Sequence, residues 1–508
     1  MQLTQGVRRS SLLFGNRPAT VFADRVTSWR TLAERVALLA GGLVALGFNP
    51  GDRIAILSTN SDRYVEAFFA IAWAGCISVP INTRWTQIEI EDAINDSECS
   101  ALFVGSSFAD YASTYMARGL IVVGMEDSVG TATFDSLIKT APPVQDRCSS
   151  RNDLACIFYT GGTTGRSKGV MLSHTNLLTN FLIMQAAAPF EPNCMFLHAP
   201  PMFHLADAHH LLGLSLLGAT HVILPGFEPL AAIEAIKLYQ VNALVLVPTM
   251  IGMLCERLQE NGGDMSSVKR LTYGASPISS ALLERAIVAF PNAMFCQSYG
   301  QTEVSPCATL LDHADHLAGK LRSAGRPLPT TDLRIVDEDL NDVAVNGVGQ
   351  VIIRGPCVMQ GYWNQSELTA ETIVGGWLKT GDAGYLDEEG YLFLVDRVKD
   401  MIISGGENIY SLEVENALLR HRDVLQCAVI GVPDDRWGER VHAFVHMRAG
   451  HETTEADLLL HCEPLIANFK RPKSIDILEE GLPVSGVGKI MKTELRKRYW
   501  RDQGRQIA

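Results

Sequence analysis

One segment of the chain concentrates residues suited to binding phosphate. Residues 159–170 read Tyr-Thr-Gly-Gly-Thr-Thr-Gly-Arg-Ser-Lys-Gly-Val, between an apolar strand at 154–158 and a helical pattern that starts near 173–174. Glycines let backbone amides approach phosphate oxygens, hydroxyls donate further hydrogen bonds, and Lys168 adds a positive charge. The segment lacks the Gly-Lys-Ser/Thr ending of a P-loop, which disfavours a P-loop NTPase. It predicts a phosphate-binding loop of another kind.

Such a loop needs a framework of parallel strands, and the surrounding pattern predicts one. Short apolar, β-branched runs alternate with longer helical patterns, and this alternation is typical of parallel α/β sheets. At least two such repeats precede residue 330. The predicted strands lie at 53–58, 101–104, 120–123, 222–224 and 243–247, and the predicted helices at 61–74, 229–239 and 249–261.

The pattern changes near Thr331, where short strands separated by Gly and Asp indicate a small antiparallel β-unit. After Asp396 and Arg397 a compact pattern of helices and strands begins again. We therefore predict an α/β protein with a large N-terminal domain at 1–397, made of two parallel α/β sheet subdomains and a β-unit at about 331–396. A small, mobile α+β C-terminal domain follows at 398–508, joined by a short charged hinge.

Composition narrows the class of protein. The chain has 508 residues, of which 47% are hydrophobic and 19% charged, as in an ordinary folded protein. A formal net charge of −13 disfavours nucleic-acid binding. The 11 cysteines form no CxxC pair, which favours reduced, buried thiols over a zinc site or disulfides.

Targeting signals are also absent from the pattern. Arg8 and Arg9 are followed only by Leu12, Leu13 and Phe14, too short an apolar region for an export signal. No uninterrupted span of about 20 apolar residues occurs, so we expect no transmembrane helix. We expect a cytoplasmic enzyme.

Four further blocks follow the phosphate loop in order, and together they carry a family resemblance. They are Tyr-Gly-Gln-Thr-Glu at 299–303, Thr-Gly-Asp at 380–382, the segment 396–410, and Pro-Val-Ser-Gly-Val-Gly-Lys at 483–489. With 159–170 they resemble the adenylate-forming superfamily of acyl- and aryl-CoA ligases, amino-acid adenylation domains and beetle luciferases. The motifs are most similar to fatty-acid and 4-chlorobenzoate/coumarate-type CoA ligases. This resemblance implies an AMP-forming carboxylic acid–CoA ligase.

The resemblance implies a site for ATP and Mg²⁺. Tyr299 offers an aromatic face to adenine, Thr302 donates to the α-phosphate, and Glu303 holds Mg²⁺ directly or through water. Asp382, after what looks like a Thr-Gly turn, and Arg397 contact the ribose. The implied ATP/AMP-binding residues are Thr160, Gly161, Gly162, Thr163, Thr164, Gly165, Lys168, Gly274, Ala275, Ser276, Tyr299, Gly300, Gln301, Asp382 and Arg397.

The resemblance also implies a two-step reaction with a moving C-terminal domain. In the first step Lys489 bridges the substrate carboxylate and the α-phosphate, where negative charge builds. The domain then rotates about a hinge at Lys399, a position where many CoA ligases have Asp. After rotation, residues 404–408 line the thiol tunnel. The resemblance implies four catalytic residues, which are Lys489, Thr302, Glu303 and His204.

A second cluster predicts coenzyme A as the thiol acceptor. Trp437 and Phe469 are suited to packing against the adenine of CoA, and Arg471 and Lys473 to holding its phosphates. With the glycine-rich tunnel segment, the implied CoA-binding residues are Ser404, Gly405, Gly406, Trp437, Phe469, Arg471 and Lys473.

The sequence indicates the residues of the acid pocket less clearly than those of the ATP and CoA sites. His204 resembles the family histidine that gates the carboxylate, and Ala206, His210, Pro306 and Cys307 are the expected walls. Amino-acid adenylation domains usually have Asp where this chain has His204, which disfavours an amino-acid substrate, although Asp207 leaves that class open if it turns inward. Medium- or long-chain fatty acids and aromatic acids both fit.

Two alternatives remain beside the acid–CoA ligase. One is a stand-alone adenylating enzyme that passes the acyl group to a carrier protein, and the other is an oxygenase-like luciferase activity. The expected small-molecule partners are a carboxylic acid, ATP and CoA, with no nucleic acid. Homodimers are common among similar enzymes, so a homodimer is compatible with the resemblance.

Overall fold

The computed structural model describes most of the chain. The described residues are 1–126, 129–150, 152–160, 167–191, 193–276, 278–397, 400–404, 407–434, 436–451, 453–485 and 490–500, apart from the side chains of Arg397 and Asn408. Every structural statement below concerns these residues.

The helices follow the predicted positions closely, and the predicted helix at 61–74 is α3. The helices are α1 Gln5–Phe14, α2 Trp29–Ala45, α3 Asp62–Trp73, α4 Gln87–Asp96, α5 Ala109–Ala117, α6 Phe134–Thr140, α7 His174–Ala187, α8 Leu205–Leu214, α9 Pro229–Tyr239, α10 Pro248–Asn261, α11 Ser280–Ala289, α12 His313–Leu317, α13 Ser366–Thr372, α14 Ser411–Leu418, α15 Glu455–Cys462 and α16 Lys492–Trp500.

The strands include every one predicted and several that the pattern did not reveal. They are β1 Pro18–Phe22, β2 Arg25–Ser28, β3 Arg53–Leu57, β4 Ile77–Pro80, β5 Ala101–Val104, β6 Ile121–Gly124, β7 Ala132–Thr133, β8 Leu154–Thr160, β9 Lys168–Ser173, β10 Met195–His198, β11 Thr220–Ile223, β12 Ala243–Leu246, β13 Arg270–Gly274, β14 Met294–Tyr299, β15 Thr309–Leu311, β16 Arg326–Pro327, β17 Asp332–Val336, β18 Gly349–Arg354, β19 Gly361–Tyr362, β20 Ile373–Val374, β21 Trp377–Leu386, β22 Leu392–Arg397, β23 Ile402–Ser404, β24 Glu407–Ile409, β25 Val424–Asp434, β26 Gly438–Met447 and β27 Ser474–Ile477.

Two large sheets with parallel centres form the first part of the chain and confirm the predicted α/β class. The first sheet has the order β16-β15-β14-β13-β12-β10-β11-β1-β2, and its strands from β14 to β1 run parallel. The second has the order β19-β9-β8-β4-β3-β5-β6-β7 and is parallel from β8 to β7. In parallel sheets the carboxyl ends of neighbouring strands share one edge, where ligands usually bind.

Two smaller sheets follow. The third sheet, β17-β18-β21-β20 with β22 beside β21, is the expected antiparallel β-unit. The fourth sheet, β24-β23-β26-β25 with β27 beside β26, is formed entirely by strands after residue 397. The domain limits at 397 and 398 themselves stay a prediction.

Helix α3 shows how the large sheets share a core. Its side chains are buried on nearly all sides, including the carboxylates of Asp62 and Glu66, which form ion pairs with Arg25 and Arg35. It begins where Ser61 caps it by accepting a hydrogen bond from the Tyr64 amide at 3.0 Å. Residues of α2, α3, β3 and β8 pack in one apolar cluster with residues of α8. This packing holds α8, which carries part of the candidate site, against the core.

Two further sequence expectations can be compared with the structure. Cys148 is the exposed cysteine, whereas the other thiols are buried and free of disulfide partners. In the described part of the chain, no helix has both the length and the apolar composition needed to span a bilayer.

Candidate active site

The candidate nucleotide residues meet where β14 ends beside the third sheet. Tyr299, the last residue of β14, donates a hydrogen bond from its hydroxyl to Asp382 Oδ2 at 2.7 Å, although the two residues are 83 positions apart. The Gln301 side-chain amide donates to the Thr380 carbonyl oxygen at 3.4 Å. The fold therefore brings the candidate adenine group and the candidate ribose group into direct contact.

The segment that carries Asp382 differs from the sequence expectation. Thr380, Gly381 and Asp382 do not form a turn between elements, because they lie inside strand β21. The pairing of β21 with β18 shifts register at this point, and Gly381 has a φ of +72°, which favours glycine. The Asp382 amide donates to Thr380 Oγ1 at 3.1 Å. The irregularity places Asp382 opposite Arg397 of β22, at the hinge.

Glu303 is a buried carboxylate on a short 3₁₀ helix, Thr302–Val304, just after β14. Its Oε1 accepts a hydrogen bond from the Tyr362 hydroxyl at 2.9 Å, and its carbonyl oxygen accepts from the Met359 amide at 2.9 Å. Burial and the neighbouring Glu303 charge raise the pKa of the Tyr362 hydroxyl far above its ordinary value, so Tyr362 stays a neutral donor. Among the described residues no cation forms an ion pair with Glu303.

Lys168 belongs to strand β9 rather than to the loop in which the sequence placed it. Strand β9 pairs antiparallel with β8, and Thr160 lies directly opposite Lys168. The two residues are therefore the base of a hairpin whose connection is the glycine-rich segment. The Lys168 ammonium lies 5.2 Å from the centre of the Tyr362 ring, close enough for a cation–π contact.

Tyr362 is the residue that sequence reasoning missed. It lies in β19, which adds to the edge of the second sheet beside β9, with Tyr362 opposite Val170. Its ring faces Lys168 and its hydroxyl holds Glu303, so it connects the candidate phosphate group with the candidate metal ligand. The signal available in the sequence was the Gly-Tyr-Trp run at 361–363, which resembles an ordinary turn.

Close backbone packing joins the nucleotide residues to the expected acid pocket. A Cβ on Gly300 would lie 2.1 Å from the Pro306 carbonyl oxygen, and one on Gly274 would lie 2.3 Å from the Ser298 carbonyl oxygen. Ala275 has a φ of +64°, a left-handed conformation that costs energy for any residue with a side chain. Only glycine at 300 allows the end of β14 to approach the Pro306 and Cys307 wall.

The expected pocket residues at α8 differ in burial: His210 is buried, whereas His204 and Ala206 are half-buried. His204 lies at the N-terminal cap position of α8, and its Nε2 is buried without a hydrogen-bond partner. Burial, assisted by the charge of Arg84, lowers the pKa of His204 to about 3. His210 donates from Nδ1 to the Ala206 carbonyl oxygen at 2.8 Å and stacks on Phe196 with ring centres 5.0 Å apart.

Asp207 faces the sheet. Its Oδ2 lies 2.7 Å from His198 Nδ1, and His198 Nε2 lies 2.9 Å from His221 Nδ1. All three side chains are fully buried, and desolvation raises the pKa of Asp207 well above its ordinary value. Asp207 is thereby engaged by strand β10, which weakens the sequence argument for an amino-acid substrate.

Cys307 completes the wall. It is buried among the aromatic side chains of α7 and β10, and its amide lies 3.3 Å from Asn180 Oδ1, which accepts the hydrogen bond. Burial raises the pKa of the Cys307 thiol to about 12, so it is a neutral packing group at physiological pH. Pro306 precedes it after a cis peptide bond from Ser305.

The candidate CoA residues lie on the fourth sheet and its loops. Ser404, at the end of β23, pairs with Gly438, so it lies beside the exposed Trp437. Phe469 is also exposed. Arg471 donates to the Ile466 and Glu463 carbonyl oxygens and forms an ion pair with Glu463 at 3.2 Å. These bonds use three of the five N–H groups of the guanidinium.

The segments that flank the hinge position are tied to the C-terminal part. Before it, the Asp396 carboxylate accepts hydrogen bonds from the Ser411 amide and hydroxyl at the start of α14. After it, Asp400 pairs with Arg496 of α16 at 2.6 Å. Lys492 is half-buried, and its Nζ lies 2.7 Å from Glu415 Oε1 and donates to Ser411 Oγ. These bonds connect the described residues on both sides of 398–399, the position of the expected hinge, to helix α16.

Several candidate residues lie outside the described residues, and their roles remain predictions. They are Gly161, Gly162, Thr163, Thr164, Gly165, Lys399, Gly405, Gly406 and Lys489, together with the side chain of Arg397. Thr302 and Ser276 are half-buried. Lys473 is exposed, and its ammonium donates to the Asn468 carbonyl oxygen at 3.1 Å.

Comparison with known proteins places this geometry in a family. The family model described as AMP-binding enzyme matches residues 7–363, and the model of the AMP-binding enzyme C-terminal domain matches residues 413–489. A feruloyl-CoA synthase of an Amycolatopsis species is 37% identical over 473 residues, covering 93% of this chain and 94% of that protein. The fatty acid–[acyl-carrier-protein] ligase ScoC of Streptomyces coeruleorubidus is 33% identical over 502 residues, covering 96% and 95%.

A solved structure agrees over nearly the full length. The o-succinylbenzoate CoA synthetase of Bacillus subtilis, in complex with its acyl-adenylate intermediate, superposes with a TM-score of 0.87 at 29% identity, covering 99% of this chain and 98% of that one. The family models cover both the two-sheet part and the C-terminal part of the chain. The protein therefore belongs to the AMP-binding enzyme family, the adenylate-forming enzymes that include acyl- and aryl-CoA ligases.

Proposed function

We propose that the protein is an ATP-dependent carboxylic acid–CoA ligase that forms an acyl-AMP with release of pyrophosphate, and then acyl-CoA with release of AMP. The observation that carries this proposal is the meeting of Tyr299, Asp382 and Glu303 at one edge, because these residues suit the base, the ribose and the metal-bound phosphates of ATP. The activated acid is a medium- or long-chain fatty acid or an aromatic acid.

The proposed nucleotide site assigns a role to each side chain. The Tyr299 ring lies against adenine while its hydroxyl stays bonded to Asp382, and the Asp382 carboxylate binds the ribose. Lys168 supplies positive charge to the phosphates from the base of the glycine-rich hairpin. Thr302 donates to the α-phosphate.

The residues present fit Mg²⁺ held chiefly by substrate phosphates. Glu303 is an anionic oxygen donor whose partner in the structure is a neutral hydroxyl, which suits a hard cation. The described residues contain no cluster of three or more side chains able to hold a metal, as expected when phosphates and waters complete the coordination. When bound, Mg²⁺ would neutralise charge on the phosphates.

The proposed chemistry is an in-line displacement followed by acyl transfer. The acid's carboxylate oxygen attacks the α-phosphorus, the bond to the bridging oxygen breaks, and pyrophosphate leaves. Lys489 stabilises the charge that builds between the carboxylate and the α-phosphate. The C-terminal domain then turns about Lys399, the CoA thiol loses its proton and attacks the acyl carbonyl, and AMP leaves.

The exposed Trp437 beside Ser404 supports CoA as the acceptor, because an aromatic face next to the proposed thiol tunnel suits the nucleotide end of CoA. The alternative is a carrier-protein acceptor, which the relative named as a fatty acid–[acyl-carrier-protein] ligase keeps in view. Exposed Trp437 and Phe469 suit that alternative as a docking patch.

Mass spectrometry of one reaction mixture distinguishes CoA from a carrier protein as the acyl acceptor. The enzyme is supplied with ATP, Mg²⁺, CoA and a pool of fatty and aromatic acids, with a parallel reaction that lacks CoA. AMP with a new acyl-CoA supports the proposal and identifies the acid. Acyl-AMP without thioester, followed by acyl transfer to a phosphopantetheinylated carrier protein, supports the alternative. Formation of ADP, or no nucleotide turnover with any acid, contradicts both.

A further inference from the structure

Arg270 is a buried cation without a counter-ion. It is the first residue of β13 and is only 4% exposed. Its Nη1 donates to the Ala188 carbonyl oxygen, its Nε lies 3.3 Å from Thr272 Oγ1, and its guanidinium carbon lies 4.0 Å from the centre of the Phe190 ring. Its Nη2 is buried and has no hydrogen-bond partner. Within the described parts of the chain, no carboxylate forms an ion pair with Arg270.

An arrangement of this kind is unfavourable in the absence of a ligand. Burying a guanidinium costs free energy unless a counter-ion and hydrogen bonds compensate it, and an unpaired donor adds a further penalty. Burial lowers the pKa of Arg270, in keeping with this lack of compensation. An apolar side chain would fill the same space without these penalties, so packing alone does not explain an arginine here.

Arg270 begins the strand whose far end carries Gly274 of the candidate nucleotide site. Alternate residues of a strand share one face, so Arg270, Thr272 and Gly274 face the same side of the first sheet. Gly274 lies at the carboxyl end of β13 in the nucleotide site, about 13 Å along the strand from Arg270. On the same face, Cys307 packs with the Phe190 ring that covers Arg270.

His210 borders the same place from helix α8. Its ring contacts Phe190 edge-on, with centres 5.8 Å apart, and stacks on Phe196. Burial lowers the pKa of His210 to about 3, so the ring is neutral at physiological pH. Its Nε2 is buried and unpartnered, like Arg270 Nη2. Two side chains with an unsatisfied buried nitrogen, Arg270 and His210, thus contact the same Phe190 ring.

We propose that the acid activated by this enzyme carries an oxygen-bearing group at the end far from its reacting carboxylate, and that Arg270 Nη2 donates a hydrogen bond to that oxygen. A distal carboxylate would also neutralise the guanidinium, whereas a distal hydroxyl would accept from Arg270 and donate to His210 Nε2. The inference rests on the proposed acid–CoA ligase function and narrows its substrate class.

Three series of straight-chain acids of matched, increasing length test the proposal. One series is unsubstituted, one carries an ω-hydroxyl and one is α,ω-dicarboxylic, and kcat/KM for AMP formation is measured with each. The wild-type enzyme is expected to prefer one oxygen-bearing series over its unsubstituted counterparts by about 10- to 100-fold at the length that reaches Arg270. The preferred series identifies the distal group.

Variants separate recognition from structural support. Arg270→Met is expected to abolish that preference while retaining turnover of unsubstituted acids, and Arg270→Lys is expected to retain part of it. Lys269→Met removes the same charge from an exposed neighbouring residue and is expected to leave the preference unchanged. If Arg270→Met does not fold, the proposal is tested by the substrate preference of the wild-type enzyme and by its partial retention in Arg270→Lys.

The outcomes distinguish this inference from the function on which it rests. AMP formation with equal or better use of unsubstituted acids at every length overturns the inference and leaves the ligase intact. An equal loss in Arg270→Met for all three series also overturns it, because it indicates a structural role. No AMP formation with any acid, including aromatic acids, overturns the ligase and the inference together.

Discussion

The nucleotide side and the acid side of the candidate site differ in how well their polar groups are satisfied. On the nucleotide side, Tyr299 is bonded to Asp382 and Tyr362 to Glu303. The acid side, formed by α8 and the face of β13, holds buried polar atoms without partners. They are His204 Nε2, Asp207 Oδ1, His209 Nε2, His210 Nε2 and Arg270 Nη2.

The difference teaches where common chemistry and individual specificity lie. Groups already bonded to one another form a rigid frame that suits a ligand shared by a whole family, namely ATP. Unsatisfied buried groups incur a free-energy penalty that a particular ligand can remove, and sites of this kind discriminate strongly between ligands. Changes on the nucleotide side should therefore affect all acids alike, whereas changes on the acid side should alter the choice of acid.

The largest expected effect is that of Lys489→Ala. We expect a loss of about 100- to 1000-fold in acyl-AMP formation with every acid, because charge between the carboxylate and the α-phosphate loses its partner. Thioester formation from supplied acyl-AMP should persist. Pyrophosphate release and acyl-CoA formation measure the two half-reactions separately.

Lys497→Ala serves as the matched control, since Lys497 is a surface lysine of α16 paired with Glu494. It should leave both half-reactions unchanged. Equal losses in the two half-reactions of Lys489→Ala would contradict the role assigned to Lys489.

Glu303→Gln should come next, with about a 100-fold loss of acyl-AMP formation at a fixed Mg²⁺ concentration. The amide retains the size of the side chain but removes the anionic oxygen that suits Mg²⁺. Tyr362→Phe removes only the hydroxyl that orients this carboxylate, and should raise the Mg²⁺ concentration needed for half-maximal rate by about 10-fold. Titration of pyrophosphate release against Mg²⁺ measures both. Unchanged Mg²⁺ dependence in Glu303→Gln would exclude Glu303 as the metal ligand.

Tyr299→Phe should have a smaller effect. It keeps the aromatic face but removes a hydrogen bond to a charged acceptor, and we expect KM for ATP to rise by about 10-fold, equally for all acids. Initial rates at varied ATP with two chemically different acids test this. A change in KM for ATP that differs between the two acids would contradict the distinction between the nucleotide side and the acid side.

Titration of the buried histidines on the acid side is expected to have the smallest effect on activity at neutral pH. Burial lowers the pKa values of His198, His204 and His210 to about 3. Between that value and the ordinary histidine pKa of about 6.5 the unfolded chain binds more protons than the folded one, so the free energy of unfolding rises with pH in this window. The stabilisation is complete above pH of about 6.5 and is lost as pH falls.

The variant His210→Phe tests that titration. It should reduce the slope of unfolding free energy against pH by about one proton, or about 1.4 kcal/mol per pH unit. Denaturant unfolding at several pH values measures the slope. An unchanged slope in His210→Phe would show that His210 is not held neutral by burial.

Much of the framework could be predicted because its signals are local. The alternation of β-branched runs with helical patterns depends on neighbouring residues, and strands such as β3 and β5 occur where that pattern predicted them. Strand β9 was missed because it directly follows a glycine-rich segment and precedes a helix, so its apolar residues were read as part of the loop-to-helix transition. The sequence Thr-Gly-Asp indicates a turn, but the same residues also fit the irregularity within strand β21 that the structure shows.

The candidate site was predictable only in part, for a related reason. Motifs supplied Tyr299, Glu303 and Asp382, since the family resemblance attaches roles to short blocks. They could not supply the contact of Glu303 with Tyr362, which joins a short helix that follows strand β14 of the first sheet to a strand of the second. Nor did any motif include Arg270, whose interest depends on its burial and its missing partner.

The sequence by itself determined the α/β class, the order of the elements, and the blocks that identify an adenylate-forming enzyme. Tertiary structure decided which of the dispersed polar groups meet, which carboxylates are paired, and which buried donors remain unsatisfied. Local patterns follow from the geometry of one helix or strand, whereas burial and hydrogen-bond satisfaction depend on residues far apart in the chain. The short motifs therefore indicate the nucleotide chemistry of the family, whereas the proposed choice of acid would depend on how β13, α7 and α8 pack together.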